Sequence, residues 1–421
     1  MFGLDERSTR RLAMESASAA ASKFMLLVTD DVLIEVLLRL PHARFVIQAR
    51  SVCKRWLSLL SETYFIRRFI QIHGFSYAHS IMFVPSNCGY EREYHLFPPK
   101  SNNLHGGVGV GSGSGDYLNF FPKTVAIKAS CQDLVLVSPS FQDYSICNPL
   151  TGQRVALPEA PQGGYERCGI LCEPNNNNSH PFQFRYKVLV IVDFFTTHFE
   201  YVFDAAVFCS ETGKWSRSTL SCPRTSAPEF DIWNEFVASS STGTLYSLLS
   251  GAEDDDIKGF AAFDLSDGGA RCRFFDLPAD FGRGWQACLD HVCSGVVRGR
   301  LRLSQLGKTN QEFVLRVWEL NHNNKKKKDQ EWLLVHKVRL QTEETDRLFV
   351  AAFHPYNEDV IYMFCDHYVY KYKIGQGEFK IFGQLPDQYP KSIADELMLY
   401  LRSYTLVYPS WPTSIPTLPA N

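Results

Sequence analysis

The feature that most constrains this chain is a recurrence of β-hairpins at a spacing of roughly 50 to 60 residues. A strand, a turn and a second strand recur at Tyr144–Leu157, Ala205–Ser216, Phe260–Leu277, Val314–Val338 and Tyr368–Phe382. Their turns open at Asn148, Ser210, Asp264, Asn321 and Lys373, in text rich in Gly, Asn and Asp. Another apolar hairpin precedes most of them, at Val125–Val137, Phe236–Leu249, Val292–Leu303 and Phe349–Phe364. Two hairpins make a four-stranded blade, so the pattern predicts a β-propeller. Five blades count directly. Ile81–Phe97 and Tyr400–Tyr408 are expected to join as a sixth, closing the ring and removing exposed sheet edges. An open β-sandwich is the alternative.

The first 70 residues follow a different period. Thr29 is expected to cap a helix whose first turn holds Asp30 and Asp31, favourably placed at the positive helix end. Leu33, Val36, Leu37 and Leu40 follow at helical spacing, and Pro41 stops the helix. Val32, Ile34 and Leu38 add apolar surface on other sides. A second segment holds Phe45-Val46-Ile47, and a third is built on Val52, Trp56, Leu59 and Leu60. Three short helices cannot bury that much apolar surface among themselves. The excess implies a partner, another part of the chain, or both.

Composition narrows the function classes. A net charge of -2 gives no general attraction to nucleic acid or anionic membranes. Apolar residues make up 45% of the chain, and the 31 Phe and 19 Tyr suit half-buried strands. The twelve cysteines form no disulfide framework, and no signal peptide or membrane span is visible. The expectation is a soluble intracellular protein of cytoplasm or nucleus, with reduced thiols.

Chemistry-bearing patterns are weak. Gly106 to Gly115 lacks the Gly-Lys-Ser/Thr of a phosphate loop, and the third glycine of a dinucleotide fingerprint falls on Ser; it reads as a surface loop, as does Asn175–Asn178. Cys288, His291 and Cys293, like Cys168 and Cys172, lack the paired spacing of a zinc site and read as packed thiols. Lys325–Lys328 reads as a solvated loop. No spacing brings a nucleophile, base and oxyanion donor together. The expectation is therefore no catalysis, no metal and no cofactor.

Two groups of residues resemble known families. Asp30-Asp31-Val32-Leu33, Leu40-Pro41, Val52-Cys53-Lys54-Arg55-Trp56 and Phe65 look like an F-box. Cys147-Asn148-Pro149-Leu150-Thr151-Gly152, Leu157-Pro158, Ser210-Glu211-Thr212-Gly213-Lys214-Trp215, Val317-Trp318-Glu319-Leu320, His354-Pro355 and Pro409-Ser410-Trp411-Pro412-Thr413 resemble the kelch-like F-box-associated domain of plant-type F-box proteins. The resemblance implies an α+β multidomain chain: a disordered tail over 1–25, a three-helix F-box over 26–70, a connector over 71–80, and an all-β kelch-like propeller of six blades over 81–415. It further implies a non-catalytic, substrate-recruiting subunit of an SCF-type ubiquitin ligase. The F-box would bind a Skp-type adaptor, and through it a cullin, using Val28, Leu33, Leu37, Leu40, Pro41, Val52, Cys53 and Trp56. The β domain would bind an unknown protein substrate, with no nucleic acid and no membrane among its partners. Two other readings stay open at this level: a propeller that reads a ligand or glycan outside any ligase, and a propeller enzyme.

Overall fold

A computed structural model describes residues 27–41, 43–73, 79–85, 95–97, the strands and shorter turns between 125 and 385, then 401–409, 411–413 and 415. The expected tail over 1–25, Cys288, His291 and the loops at 106–115, 175–178 and 325–328 lie outside those residues. The chain divides into two compact units. The helical unit takes the N-terminal helices together with Trp411 and Pro412; the β unit takes the other described residues.

Among the described residues the helical unit holds four helices where three were expected: α1 (Asp30–Leu37), α2 (Ala43–Ala49), α3 (Lys54–Ser61) and α4 (Thr63–His73). The fourth arises because Phe65 and Phe69, with Ile66 and Ile70, repeat at i, i+4 and give the segment its own apolar stripe. The connector expected over 71–80 is correspondingly shorter, since α4 runs to His73 and the first strand begins at His79. Thr29 stands at the N-cap of α1 in extended conformation, and its carbonyl accepts from Leu33 N at 3.1 Å. Its side chain makes no capping bond, contrary to expectation. Asp30 in the first turn instead accepts from Arg55 Nε at 2.8 Å.

The β unit is a succession of antiparallel sheets, four of which are up-and-down meanders of four strands. After β1 (His79–Pro85) and β2 (His95–Phe97), the first blade holds β3 (Ala126–Cys131), β4 (Leu134–Ser140), β5 (Asp143–Asn148) and β6 (Gln153–Ala156). The second holds β7 (Arg167–Pro174), β8 (Phe184–Thr196), β9 (Glu200–Cys209) and β10 (Lys214–Pro223). In the third are β11 (Phe230–Asp231), β12 (Val237–Ser239), β13 (Thr244–Gly251), β14 (Ile257–Asp264) and β15 (Arg271–Phe275). The fourth comprises β16 (Val292–Val297), β17 (Arg300–Thr309), β18 (Glu312–Leu320) and β19 (Trp332–Leu340). The fifth comprises β20 (Leu348–Phe353), β21 (Val360–Cys365), β22 (Tyr368–Lys373) and β23 (Glu378–Gln384), and β24 (Leu401–Val407) follows.

These are five blades, not the six expected. β24 does pair antiparallel with β1, His79 opposite Val407 and Pro85 opposite Leu401. With β2 they form a sheet of three strands among the described residues, one short of a blade. This sheet still closes the succession, because β20 meets β24 and β24 meets β3. Between these points β3 meets β7, β7 meets β12, β12 meets β16 and β16 meets β20. The neighbouring sheets thus pack through their first strands, as a propeller requires.

Burial follows from that packing. Every residue of β20 and β21 is buried, since both faces of an inner strand meet a neighbouring sheet. The outer strand β23 is half-open along its length. Repeated side chains tie one blade to the next. Trp215 Nε1, on the outer strand of the second blade, donates to Pro158 O at 2.9 Å. Trp332 Nε1, at the matching place in the fourth, donates to Asp276 O at 2.8 Å. The outer hairpins turn through glycine where the backbone enters the left-handed region: Gly152 has φ 69° and Gly213 φ 68°. Each amide closes its turn onto the carbonyl four residues back, Asn148 O and Cys209 O, both at 2.9 Å.

Candidate functional site

The helical unit carries the first candidate surface. Its interior is formed by Leu33, Ile34, Leu37, Leu38, Val46, Leu59, Leu60, Phe65, Phe69 and Trp411, all buried. Helical periodicity then forces the remaining apolar residues of α1 outward. Val32 is 54% exposed and Val36 55%, one turn apart on one face. Val52 is 62% exposed and Leu57 45%, on either side of Arg55. Arg55 ties that segment to α1, through Asp30 and through the Val28 carbonyl. Glu35 pairs with Arg68 of α4 at 2.5 Å. Two surface ion pairs, Asp30 with Arg55 and Glu35 with Arg68, thus bind α1 to α3 and α4.

The residues expected to touch an adaptor divide into three groups. Pro41, Val52 and Cys53 are exposed. Val28, Leu40 and Trp56 are half-buried against the interior. Leu33 and Leu37 are interior, at 4% and 3% exposure. Val32, Val36 and Leu57, which sequence reasoning did not select, present more surface than any of the interior pair. The signal for them was present: Val32 and Val36 lie four residues apart, off the stripe that Leu33 and Leu37 define.

In the β unit the buried polar groups serve the framework. Asp133, fully buried, accepts at Oδ2 from Asn148 Nδ2 and from Thr413 N, both at 2.8 Å. Burial raises its pKa, and the hydrogen bonds only partly offset that. Arg302 and Glu319, 3% and 7% exposed, form an ion pair in which Arg302 Nε and Nη2 both donate to Glu319 Oε2, at 2.9 and 2.8 Å. His354 Nδ1 accepts from the backbone amides of Tyr356 and Asn357, at 3.1 and 3.0 Å, and so shapes the turn before β21. Burial, then the neighbouring His79 and Lys371, push the His354 pKa down to about 3. His79 Nε2 meets the Tyr362 hydroxyl at 2.6 Å, beneath the same imidazole.

The thiols follow the same logic. Burial pushes Cys147 and Cys293 up to about 12, so neither is a thiolate near neutrality. Cys168 donates towards the Tyr144 hydroxyl at 3.6 Å, and Cys172 Sγ towards Cys131 O at 3.4 Å. Among the described residues no three potential metal ligands gather. No helix among them is long and apolar enough to cross a membrane.

The chain is similar in sequence to known proteins. Over 371 residues the chain is 24% identical to a putative F-box/kelch-repeat protein, At4g22430, of Arabidopsis thaliana, covering 85% of this chain and 80% of that one. It is 25% identical over 428 residues to the F-box protein At3g26010 of the same plant, covering 93% and 91%. Among solved structures, an oligogalacturonate lyase in complex with manganese aligns with a TM-score of 0.35 at 9% identity, over 61% of this chain and 64% of that one, too loosely to carry an argument. Residues 111–398 match the model of the "F-box protein At3g26010-like, beta-propeller" family, which is most of the β unit, and to that family the chain belongs.

Proposed function

We propose that this chain is the substrate-recruiting subunit of an SCF-type ubiquitin-protein ligase. Residues 26–70 act as an F-box that holds a Skp-type adaptor and, through it, a cullin; the β unit holds the protein to be modified. The observation that carries this reading is that Val32, Val36, Val52 and Leu57 are each left exposed on a helical unit whose buried apolar residues form their own cluster. Water-exposed valines on a short helix suit a flat apolar partner. The names of the Arabidopsis relatives, all F-box proteins, support the same assignment.

The mechanism would be proximity. The chain makes and breaks no bond; it raises the local concentration of target lysines beside a ubiquitin-charged enzyme. This suits a β unit whose buried histidine and thiols are committed to turns and packing.

Val36→Asp tests the reading. Val36 is exposed, so the change leaves the interior alone while placing a charge in the proposed interface. Adaptor affinity should fall roughly 30-fold or more, the loss of about 2 kcal/mol expected at an interface centre. An unchanged affinity in a folded variant would reject this surface. Failure of the wild-type chain to retain either adaptor or cullin would favour a propeller working outside a ligase.

A further inference from the structure

The helical unit is not built from the N-terminal stretch alone. Trp411 belongs to it and is 7% exposed. Its indole stands edge-on to two rings of α4. The centroid of Phe65 lies 6.4 Å away at 69°, and that of Phe69 5.9 Å away at 73°. Those two phenylalanines stack on each other at 6.1 Å. Edge-to-face packing is the favoured arrangement for such rings, so Trp411 fixes their rotamers as well as covering them. Four helices of seven to eleven residues have little interior of their own, and an indole is a large share of it.

Helix α4 in turn holds α1. Arg68 pairs with Glu35, and His73 Nε2 lies 2.8 Å from the Leu38 carbonyl. These two ties fall on either side of Val36. Phe69 sits between them along α4, stacked on His73 with centroids 4.2 Å apart. The path from the indole to the exposed valine is therefore continuous: Trp411, Phe69 and Phe65, then the Arg68 and His73 ties, then the turn of α1 that carries Val36. Two residues after Trp411 the chain belongs to the β unit. There Thr413 N donates to Asp133, Thr413 O accepts from Asn148, and the Gln153 amide bonds both the N–H and the carbonyl of Ile415.

We propose that Trp411 is a positioning residue for the adaptor-docking surface: by packing on Phe65 and Phe69 it sets the attachment of α4 to α1, so that docking through the N-terminal helices requires the C-terminal end of the chain. The inference rests on the functional reading above, and it predicts that the docking module cannot be taken as an N-terminal fragment.

The test uses the full-length chain with Trp411→Ala and Trp411→Phe, read by hydrogen exchange and by affinity for purified Skp-type adaptor. Trp411→Ala should speed amide exchange in α1 and α4 at least about tenfold and weaken adaptor binding by a similar factor, with exchange in β20 and β21 unchanged. Trp411→Phe, which keeps an aromatic edge, should recover most of both losses. Equal exchange in α1 and α4 for Trp411→Ala and wild type would overturn the proposal. So would a loss spread equally over the blades, which would make Trp411 a general stabiliser. If Trp411→Ala does not fold, Trp411→Phe decides by the same comparison, since wild-type exchange and affinity in it would remove the edge contact as the cause. If the wild-type chain binds no adaptor, the ligase reading falls, and exchange alone decides the role of Trp411 in fastening α1.

Discussion

Asp133 offers the sharpest test of how the β unit retains its C-terminal segment. It sits in the turn between β3 and β4 with no exposed surface. One oxygen, Oδ2, accepts both from the Asn148 amide and from the Thr413 backbone N–H, 280 residues along the chain. Asn148 Nδ2 also donates to Thr413 O at 2.7 Å, and its Oδ1 receives Leu150 N at 2.9 Å. Replacing Asp133 with Ala strands two buried donors. Each costs about 1–3 kcal/mol when left unmade, so the loss is roughly 2–6 kcal/mol. For a domain of this size that corresponds to a fall in Tm of roughly 3–8 °C by calorimetry. Amide exchange at Thr413 should rise with it.

Asp133→Asn separates hydrogen bonding from charge. The amide oxygen still accepts from both donors while the buried charge is gone, so the variant should stay within about 1 kcal/mol of wild type. The pH dependence gives an independent sign. Burial raises the folded pKa of Asp133 above its unfolded value, so the folded state takes up the proton more readily. Wild type should therefore gain on Asp133→Asn as pH falls from neutrality towards about 4, the unfolded carboxyl range. An unchanged Tm in Asp133→Ala would refute the latch. A fall in Asp133→Asn as large as in Asp133→Ala would show that charge, not geometry, holds the segment.

Two further expectations follow from packing and titration. The folded pKa of His354 is depressed to about 3, so its contribution to stability is present above about 6.5 and is lost as pH falls from there towards 3. With His79 and Lys371 facing it, His354→Asn, whose oxygen can receive the same two turn amides, should flatten the acid limb of a Tm-against-pH curve; an unaltered limb would place the acid sensitivity elsewhere. Gly295 of β16 has the Phe353 ring 2.7 Å from where a Cβ would stand, so Gly295→Ala should force the fourth and fifth blades apart and cost about 1–3 kcal/mol in denaturant unfolding, whereas wild-type stability would mean that Phe353 gives way freely.

Much of the fold was legible because its signals are local. The outer hairpins announce themselves through turn residues that the backbone demands, such as Asn148 to Gly152 and Ser210 to Gly213, and all five expected hairpins are present as β5–β6, β9–β10, β14–β15, β18–β19 and β22–β23. The pairing of β24 with β1 was also readable, from two apolar ends that needed an edge to cover. The hairpin of β7 and β8 was harder. Ile170, Leu171 and Cys172 face Val188, Lys187 and Tyr186, and all are buried, so neither strand shows the alternation that marks a half-exposed sheet. The sixth blade differs from expectation: apolar text near residues 81 and 400 marks strands that do pair, but among the described residues their sheet has three strands, one short of a blade.

The candidate surface was legible only in part, because periodicity reports that α1 is apolar on several sides without saying which side is already covered. Leu33 and Leu37, which the F-box resemblance implies as adaptor contacts, lie on the stripe that faces the interior of the helical unit. The deciding information is not in α1. It lies in Phe65 and Phe69 of a helix that sequence reading left out, and in Trp411 from the far end of the chain. Once these fill the interior, Leu33 and Leu37 are buried, while Val32 and Val36 of the same helix stay exposed. A contact surface of this kind is a remainder, defined by what the rest of the molecule has already buried. It becomes readable only when the residues that complete the interior are known, which is why the docking assignment and the role of Trp411 stand on the same packing.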